Sequence, residues 1–246
     1  MAGTVHIGTS GWHYKHWLGD FYPEKLPAKE MLSFYAQHFD TVEINNTFYH
    51  LPTDSTFISW RDNSPENFLY ALKGSRFITH MKKLKDPQTS TAKFFRGAEL
   101  LEEKLGPILF QLPPRWQLDL ERLSAFLEAL PKQHRYAFEF RDPSWLVQPV
   151  YDLLGGHNAA FCIYDFASRP TPFQITADFT YVRFHGPGEA KYAGSYPESA
   201  LQEWARRIRG WLRELSAVYV YFNNDVGGHA VRNARRLREL LNPATP

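Results

Sequence analysis

The chain has 246 residues, of which 43% are hydrophobic and 16% aromatic, with a net charge of +2 and a pI near 8.5. That is the composition of a globular chain able to bury a full core, and it lacks the charge excess of a dedicated nucleic-acid binder. A single cysteine, Cys162, excludes a disulfide framework and a cysteine-built zinc site.

No stretch approaches the roughly 18 apolar residues that span a bilayer. Met1 to Ile7 runs straight into a β-rich segment, with neither an apolar signal core nor a basic leader. A cytoplasmic protein with no membrane partner is therefore expected. No linker, charge block or low-complexity segment interrupts residues 1–246, so one domain is expected over that span.

In chain order, the first strand is expected over Thr4–Thr9 and a helix over Lys29–His38. The second strand, Thr41–Asn45, precedes a helix over Asp54–Asn63, and the third, Phe68–Lys73, precedes one over Ser90–Leu105. The fourth strand is Pro107–Leu112. Its helix, Asp119–Leu130, carries the stripe Leu120, Leu123, Leu127 and Leu130, with Asp119 as N-cap. The fifth strand, Arg135–Arg141, leads to a helix over Gln148–Leu154, and the sixth is Ala159–Tyr164. Residues 167–176 hold Pro170 and Pro172 and no apolar stripe, so a helix is missing there or replaced by a loop. The seventh strand, Phe179–His185, precedes a strongly striped helix over Glu198–Leu215. The eighth, Ala217–Asn223, precedes the last helix, Ala230–Leu241. Eight strands alternating with helices in about 250 residues predict an α/β fold, a single TIM (β/α)8 barrel.

Side chains alternate across a strand. Glu43 and Asn45 oppose Val42 and Ile44; Glu139 and Arg141 oppose Phe138 and Phe140; Tyr181, Arg183 and His185 oppose Val182 and Phe184; Tyr219, Tyr221 and Asn223 oppose Val220 and Phe222. The apolar sets must meet the helices, which turns the polar sets inward. Interior charge is costly unless paired, so this many ionisable residues at strand ends marks a site.

Glu43 and Glu139 are the candidate acid/base pair, with His185 and Lys73 as further catalytic candidates. The structural reading is that each glutamate is a counter-ion to Arg141, Lys73 or Arg183. Asn45, Gln111, Arg141, Asp165, Arg183 and Asn223 are candidate substrate ligands. Trp12, Trp145, Tyr192 and Tyr196 are candidate mouth aromatics. The loops holding Gly186 and Gly188, and Gly227, Gly228 and His229, suit an anion at a helix start; ordinary turn chemistry explains the glycines equally. No cofactor is expected. A divalent ion on Glu43, Glu139, Asp165 and His185 is the lesser reading, because Arg141 and Arg183 crowd the same strand ends.

Gly8-Thr9-Ser10-Gly11-Trp12 with Phe21-Tyr22-Pro23, Val42-Glu43-Ile44-Asn45, Ile78-Thr79-His80, Phe110-Gln111-Leu112-Pro113-Pro114, Glu139-Phe140-Arg141 with Trp145, Arg183-Phe184-His185-Gly186 and Tyr221-Phe222-Asn223-Asn224 resemble the blocks of the YecE-like family, a domain of unknown function. The resemblance implies a TIM-barrel fold and supplies no activity. The expectation is thus an enzyme acting on a small anionic substrate, such as a sugar phosphate or nucleotide-like molecule, by carboxylate acid/base chemistry. Two alternatives stand beside it: a nucleic-acid-processing or nucleic-acid-binding barrel of endonuclease type, supported by Lys82, Lys83 and Lys85, and a non-catalytic ligand-binding protein.

Overall fold

The structure is a computed structural model that describes residues 3–166, 169–188 and 192–242, with Arg169 as backbone alone. Its strands are β1 (Thr4–Thr9), β2 (Thr41–Ile44), β3 (Leu69–Lys73), β4 (Leu105–Gln111), β5 (Tyr136–Glu139), β6 (Ala160–Phe166), β7 (Arg169–Pro170), β8 (Phe179–Phe184) and β9 (Ala217–Phe222). The helices are α1 (Met31–Ala36), α2 (Asn46–Tyr49), α3 (Asp54–Asp62), α4 (Pro87–Ala98), α5 (Leu120–Ala129), α6 (Gln148–Gly156), α7 (Glu198–Trp211) and α8 (His229–Leu241). The sheet order is β1-β9-β8-β6-β5-β4-β3-β2. Eight of these strands are parallel and form a nearly closed α/β barrel of TIM type, with helices between them. One seam, between β1 and β2, is unsealed. Among the described residues it is spanned by a bridge between Ser10 and Glu43, with Gly11 N–H donating to the Glu43 carbonyl at 2.8 Å.

All eight expected strands form, and only their ends differ, by a residue or two. The expected gap in the helical ring is also present. Arg169–Pro170 pairs antiparallel with β6, and Thr171 to Thr176 are not helical. Ala167 and Ser168, the start of that stretch, lie outside the described residues. Pro170 and Pro172 are the cause, since each removes an N–H donor and fixes φ.

The chain folds as two compact units. Unit one comprises residues 1–43, 163–173 and 178–246, and unit two residues 44–162 and 174–177. In unit one, β1 pairs with β9 and β9 with β8 in register. The outer face of β8 meets α7, where Phe184 lies 4.8 Å from Trp204, ring to ring. Its inner face carries Tyr181 and Arg183, both essentially unexposed. The interior of this unit departs from the branched aliphatics usual in such barrels. His6 stacks on Tyr219 at 5.1 Å, and Tyr181 packs on Tyr221 at 5.1 Å. The Tyr221 hydroxyl meets Thr41 Oγ1 at 2.8 Å. Tyr35 Oη accepts from Thr9 N–H at 2.9 Å and donates to the Thr41 carbonyl at 3.1 Å.

Unit two follows the ordinary pattern. Phe110, Phe126, Phe138 and Phe140 are buried, and Phe110 meets Phe126 of α5 edge-on at 5.0 Å. The expected cap forms, with Asp119 accepting from Arg122 N–H at 3.1 Å, and Leu123, Phe126 and Leu127 are the buried stripe. In unit one, arginines of α7 and α8 sit on solvated faces paired with carboxylates: Arg206 and Arg207 with Glu203, Arg236 with Glu198 and Glu239.

The seam leaves little room at Gly8. A Cβ added there would stand 2.1 Å from the Thr41 carbonyl oxygen, whereas one added at Gly210 of α7 meets nothing within 4 Å. Gly8→Ala should therefore cost about 3 kcal/mol in urea denaturation, while Gly210→Ala should gain roughly 0.5–1 kcal/mol. A Gly8→Ala midpoint equal to the parent's would contradict the close approach of β1 and β2.

Candidate functional site

Glu43 lies on the inward face of β2 and is fully buried. Its Oε1 accepts from Ser10 Oγ at 2.6 Å and from Arg183 Nη2 at 2.8 Å, and its Oε2 accepts from Tyr181 Oη at 2.7 Å. Burial, and then the charge of Glu43, push the Tyr181 phenol well above its usual range, so it stays protonated and keeps donating. Both carboxylate oxygens are therefore engaged, and the charge is matched by a guanidinium 1% exposed. Desolvating two charges is offset only by close pairing and added hydrogen bonds of this kind.

Two residues beyond Arg183 stands His185, 2% exposed. Its Nδ1 lies 3.2 Å from Asn223 Nδ2, and its ring meets Tyr164 and Tyr192, each at 5.9 Å. With the Asn223 amide donating, Nδ1 is the acceptor and the ring proton sits on Nε2. His185 N–H donates to the Asp165 carbonyl at 2.9 Å, which places the two residues side by side at the ends of β6 and β8. Asp165 is 4% exposed, and its buried Oδ1 has no hydrogen-bond partner among the described residues. Burial pushes its carboxyl up to about 6, against a smaller downward pull from the Tyr196 hydroxyl.

Tyr196 is itself buried. Its hydroxyl accepts from Gly186 N–H at 3.1 Å, and its own N–H donates to Asn233 Oδ1 at 3.1 Å. It acts as a brace for the loop and has no face free for a ligand. Gly186 has φ +106°, and a Cβ there would stand 2.4 Å from the Ala193 carbonyl, so glycine is required for the chain path. Tyr192 is 42% exposed and is the aromatic of this group open to solvent; Trp12 is half-buried. Gly188 has open space around it.

At the start of α8, Gly228 N–H donates to the Asp225 carbonyl at 3.0 Å. The Asp20 carboxylate, gripped by Arg232, lies against Gly228, while Arg232 also donates to the Gly227 carbonyl and meets His229 Nδ1 at 3.2 Å. A carboxylate of the chain thus already occupies the electropositive end of that helix.

In unit two, Glu139 is fully buried and paired with Arg141, whose side chain is 23% exposed; Cys162 Sγ lies 3.9 Å from Glu139 Oε2. Gln111 is the register partner of Glu139 and is half-buried. Asn45 follows the end of β2, and its buried Oδ1 has no hydrogen-bond partner among the described residues. The Lys73 ammonium sits 4.4 Å over the Phe48 ring. Trp145 is fully buried: it stacks on Phe140 at 5.0 Å and donates to the Trp116 carbonyl at 2.6 Å, so it fills the core and is not a mouth aromatic.

Sequence reasoning named Glu43 and Arg183 and missed Ser10 and Tyr181, which complete their network. Tyr181 shares the face of Arg183, and that parity was the available signal. Nothing in the sequence singled out Asp165 above the other carboxylates, because its distinction is environmental.

The profile of a family described as "Protein of unknown function DUF72" matches residues 6–246. The UPF0759 protein YunF of Bacillus subtilis is 28% identical, with the alignment covering 96% of this chain and 94% of that protein. The UPF0759 protein YecE of Escherichia coli is 28% identical over 58% of this chain and 51% of its own. A crystal structure of a DUF72 family protein from Thermotoga maritima superposes with a TM-score of 0.88 at 30% identity, covering 97% of this chain and 99% of that one. One from Enterococcus faecalis, at 20% identity and a TM-score of 0.75, covers 99% and 97% and shares the fold. Among the described residues no group of three His, Cys, Asp or Glu side chains could hold a metal ion, and no helix is long and apolar enough to cross a membrane.

The Glu43–Arg183 network makes a thermodynamic prediction. Glu43→Gln or Arg183→Met alone leaves a buried charge without its counter-charge and should cost roughly 3–5 kcal/mol in denaturant unfolding. The double variant should recover part of that loss. Additive single losses would contradict a direct pair.

Proposed function

We propose that this chain, which belongs to the DUF72 family, is an enzyme that moves a proton on a small polar substrate bearing an anionic group, with Asp165 as its acid/base residue. Asp165 carries the reading because a buried carboxyl with a pKa of about 6 and one oxygen without a partner among the described residues is suited to proton transfer near neutrality. Glu43 and Glu139 serve as counter-ions. Glu43 in particular is fully buried, paired with Arg183 and already accepts from three donors.

Arg183 is committed to Glu43, so the substrate's anionic group is received by His185 Nε2–H, with Asn223 setting the tautomer. Tyr192 and Tyr164, whose rings flank His185, cover the flat face of the substrate. Lys73 and Arg141 belong to unit two and take no step in this reading. The reaction is hydrolysis, elimination or isomerisation, in each of which a carboxyl can give or take the proton.

Two measurements test the reading. In a turnover screen of sugar phosphates and small carboxylic acids, Asp165→Asn should lower the rate by about 10²–10⁴-fold while the substrate still raises the melting temperature. Turnover unchanged by the substitution would refute the assignment. The second measurement is the pH dependence of stability. A carboxyl raised to about 6 holds its proton in the folded state where the unfolded chain, near 3.8, has released it. Folding is therefore favoured at low pH, and this contribution is lost as pH climbs through 4 to above 6, by about 3 kcal/mol in all. Asp165→Asn should remove that slope, gaining stability on the parent between about pH 4 and pH 6 and holding a level difference above that. A constant difference would mean that Asp165 titrates normally.

A further inference from the structure

We propose that the surface following β3 is a platform for single-stranded nucleic acid, built by Tyr49, Phe77 and Met81 among the cations Arg76, Lys83 and Lys85. It lies wholly within unit two and uses none of the residues assigned to proton transfer.

Three apolar side chains stand out of this surface. Tyr49 is 67% exposed, Phe77 43% and Met81 70%. Phe48, a buried ring 5.0 Å from Tyr49 and 5.0 Å from His80, joins the turn that carries Tyr49 to the Phe77–Met81 segment that carries the other two. The segment between Lys73 and Asp86 carries five cations, Lys73, Arg76, Lys82, Lys83 and Lys85, against the single carboxylate of Asp86. Lys82 spends its charge on Asp86 at 3.2 Å and hangs over the Phe77 ring at 5.9 Å. Arg76, Lys83 and Lys85 are exposed. The excess charge is felt locally: burial, then Arg76 and Lys73, push His80 down to about 4, so it stays neutral and adds a polar edge without adding charge.

The backbone here is costly to hold. Phe77–Met81 forms a π-type turn closed by Lys82 N–H donating to the Phe77 carbonyl at 2.8 Å. Lys83, Leu84 and Asp86 follow in the left-handed region with φ of 47°, 62° and 50°, without one glycine among them. Such strain persists only where the surroundings over-determine it, and it collects at ligand sites. The fixing point is Leu84, 1% exposed, whose N–H donates to the Ile78 carbonyl at 3.0 Å. Leu84 in the core and Lys83 and Lys85 in solvent on either side of it are the outcome.

Exposed rings interleaved with solvent-facing cations fit a single strand. Unstacked bases offer flat faces to Tyr49 and Phe77, and the phosphates meet Arg76, Lys83 and Lys85. A duplex hides its base faces within the stack. A lipid surface calls for a sustained apolar helix face, which a five-residue turn does not present.

Fluorescence anisotropy of a labelled oligodeoxythymidine tests the assignment on the intact chain. Binding should exceed that of a duplex of equal length by about tenfold or more. Its logarithm should fall against the logarithm of salt with a slope of about −2, as three cations at roughly 0.7 each require. Tyr49→Ala and Phe77→Ala should each weaken binding at least about fivefold, and Lys83→Ala with Lys85→Ala should flatten the slope by about 1.4. All four side chains are exposed, so circular dichroism should report an unchanged fold. Absence of a shift at low salt, binding indifferent to both ring substitutions, or capture by phosphatidylserine vesicles without oligonucleotide binding would each overturn the proposal.

Discussion

The buried ion pair between Glu43 and Arg183 is the constraint on which the rest of unit one depends. Neither charge reaches water, so each must find its full complement of partners inside the protein. Glu43 obtains three donors, one from the turn after β1 and two from β8. Those donors tie β2 to the turn after β1 and to β8. The tyrosines follow from the same requirement. A phenol supplies a hydroxyl at one end and a large apolar body at the other, which fills space around a charge that aliphatic side chains would strand. The unusual aromatic interior of this unit is thus the packing counterpart of its interior charge.

The next residue of the same parity is His185, whose N–H donates to the Asp165 carbonyl and so sets the main chain of Asp165 beside it. Two buried carboxylates of unit one therefore stand in opposite electrostatic circumstances. Glu43 is paired with a guanidinium and accepts from three donors. Asp165 is buried with one oxygen lacking a partner among the described residues, and burial raises its proton affinity. In the proposed reading, structural and chemical roles separate along this line, which is a difference of surroundings between two side-chain carboxylates.

The elements were legible in the sequence wherever one physical rule dominated. Period-two alternation marked the strands, and β1 falls at its expected ends, Thr4 and Thr9. The apolar stripe and the Asp119 cap marked α5, and two prolines marked the missing helix after β6. Strand ends were less legible where the chain leaves the sheet early. The polar alternation of Asn45 and Thr47 continues the pattern of β2, yet Thr47 lies in α2, where its hydroxyl donates to the Lys73 carbonyl at 2.6 Å. Partner choice was legible only as a set. Arg141, Lys73 and Arg183 were equivalent counter-ions on paper, and long-range geometry assigns Arg183 to Glu43 and Arg141 to Glu139. Trp145 was a candidate mouth aromatic, but the Trp116 carbonyl satisfies its indole and it lies in the core. The left-handed run after the π-type turn had no signal at all, because no glycine announces it.

The central claim is that Asp165 holds a proton across the range in which an ordinary aspartate has lost it. Side-chain carboxyl carbon shifts of the isotopically labelled protein, followed against pH and assigned by loss of the Asp165→Asn resonance, measure this directly. The account predicts an Asp165 titration midpoint of about 6, clearly separated from the surface aspartates. A midpoint at or below about 4, the value of an unperturbed aspartate, would contradict it.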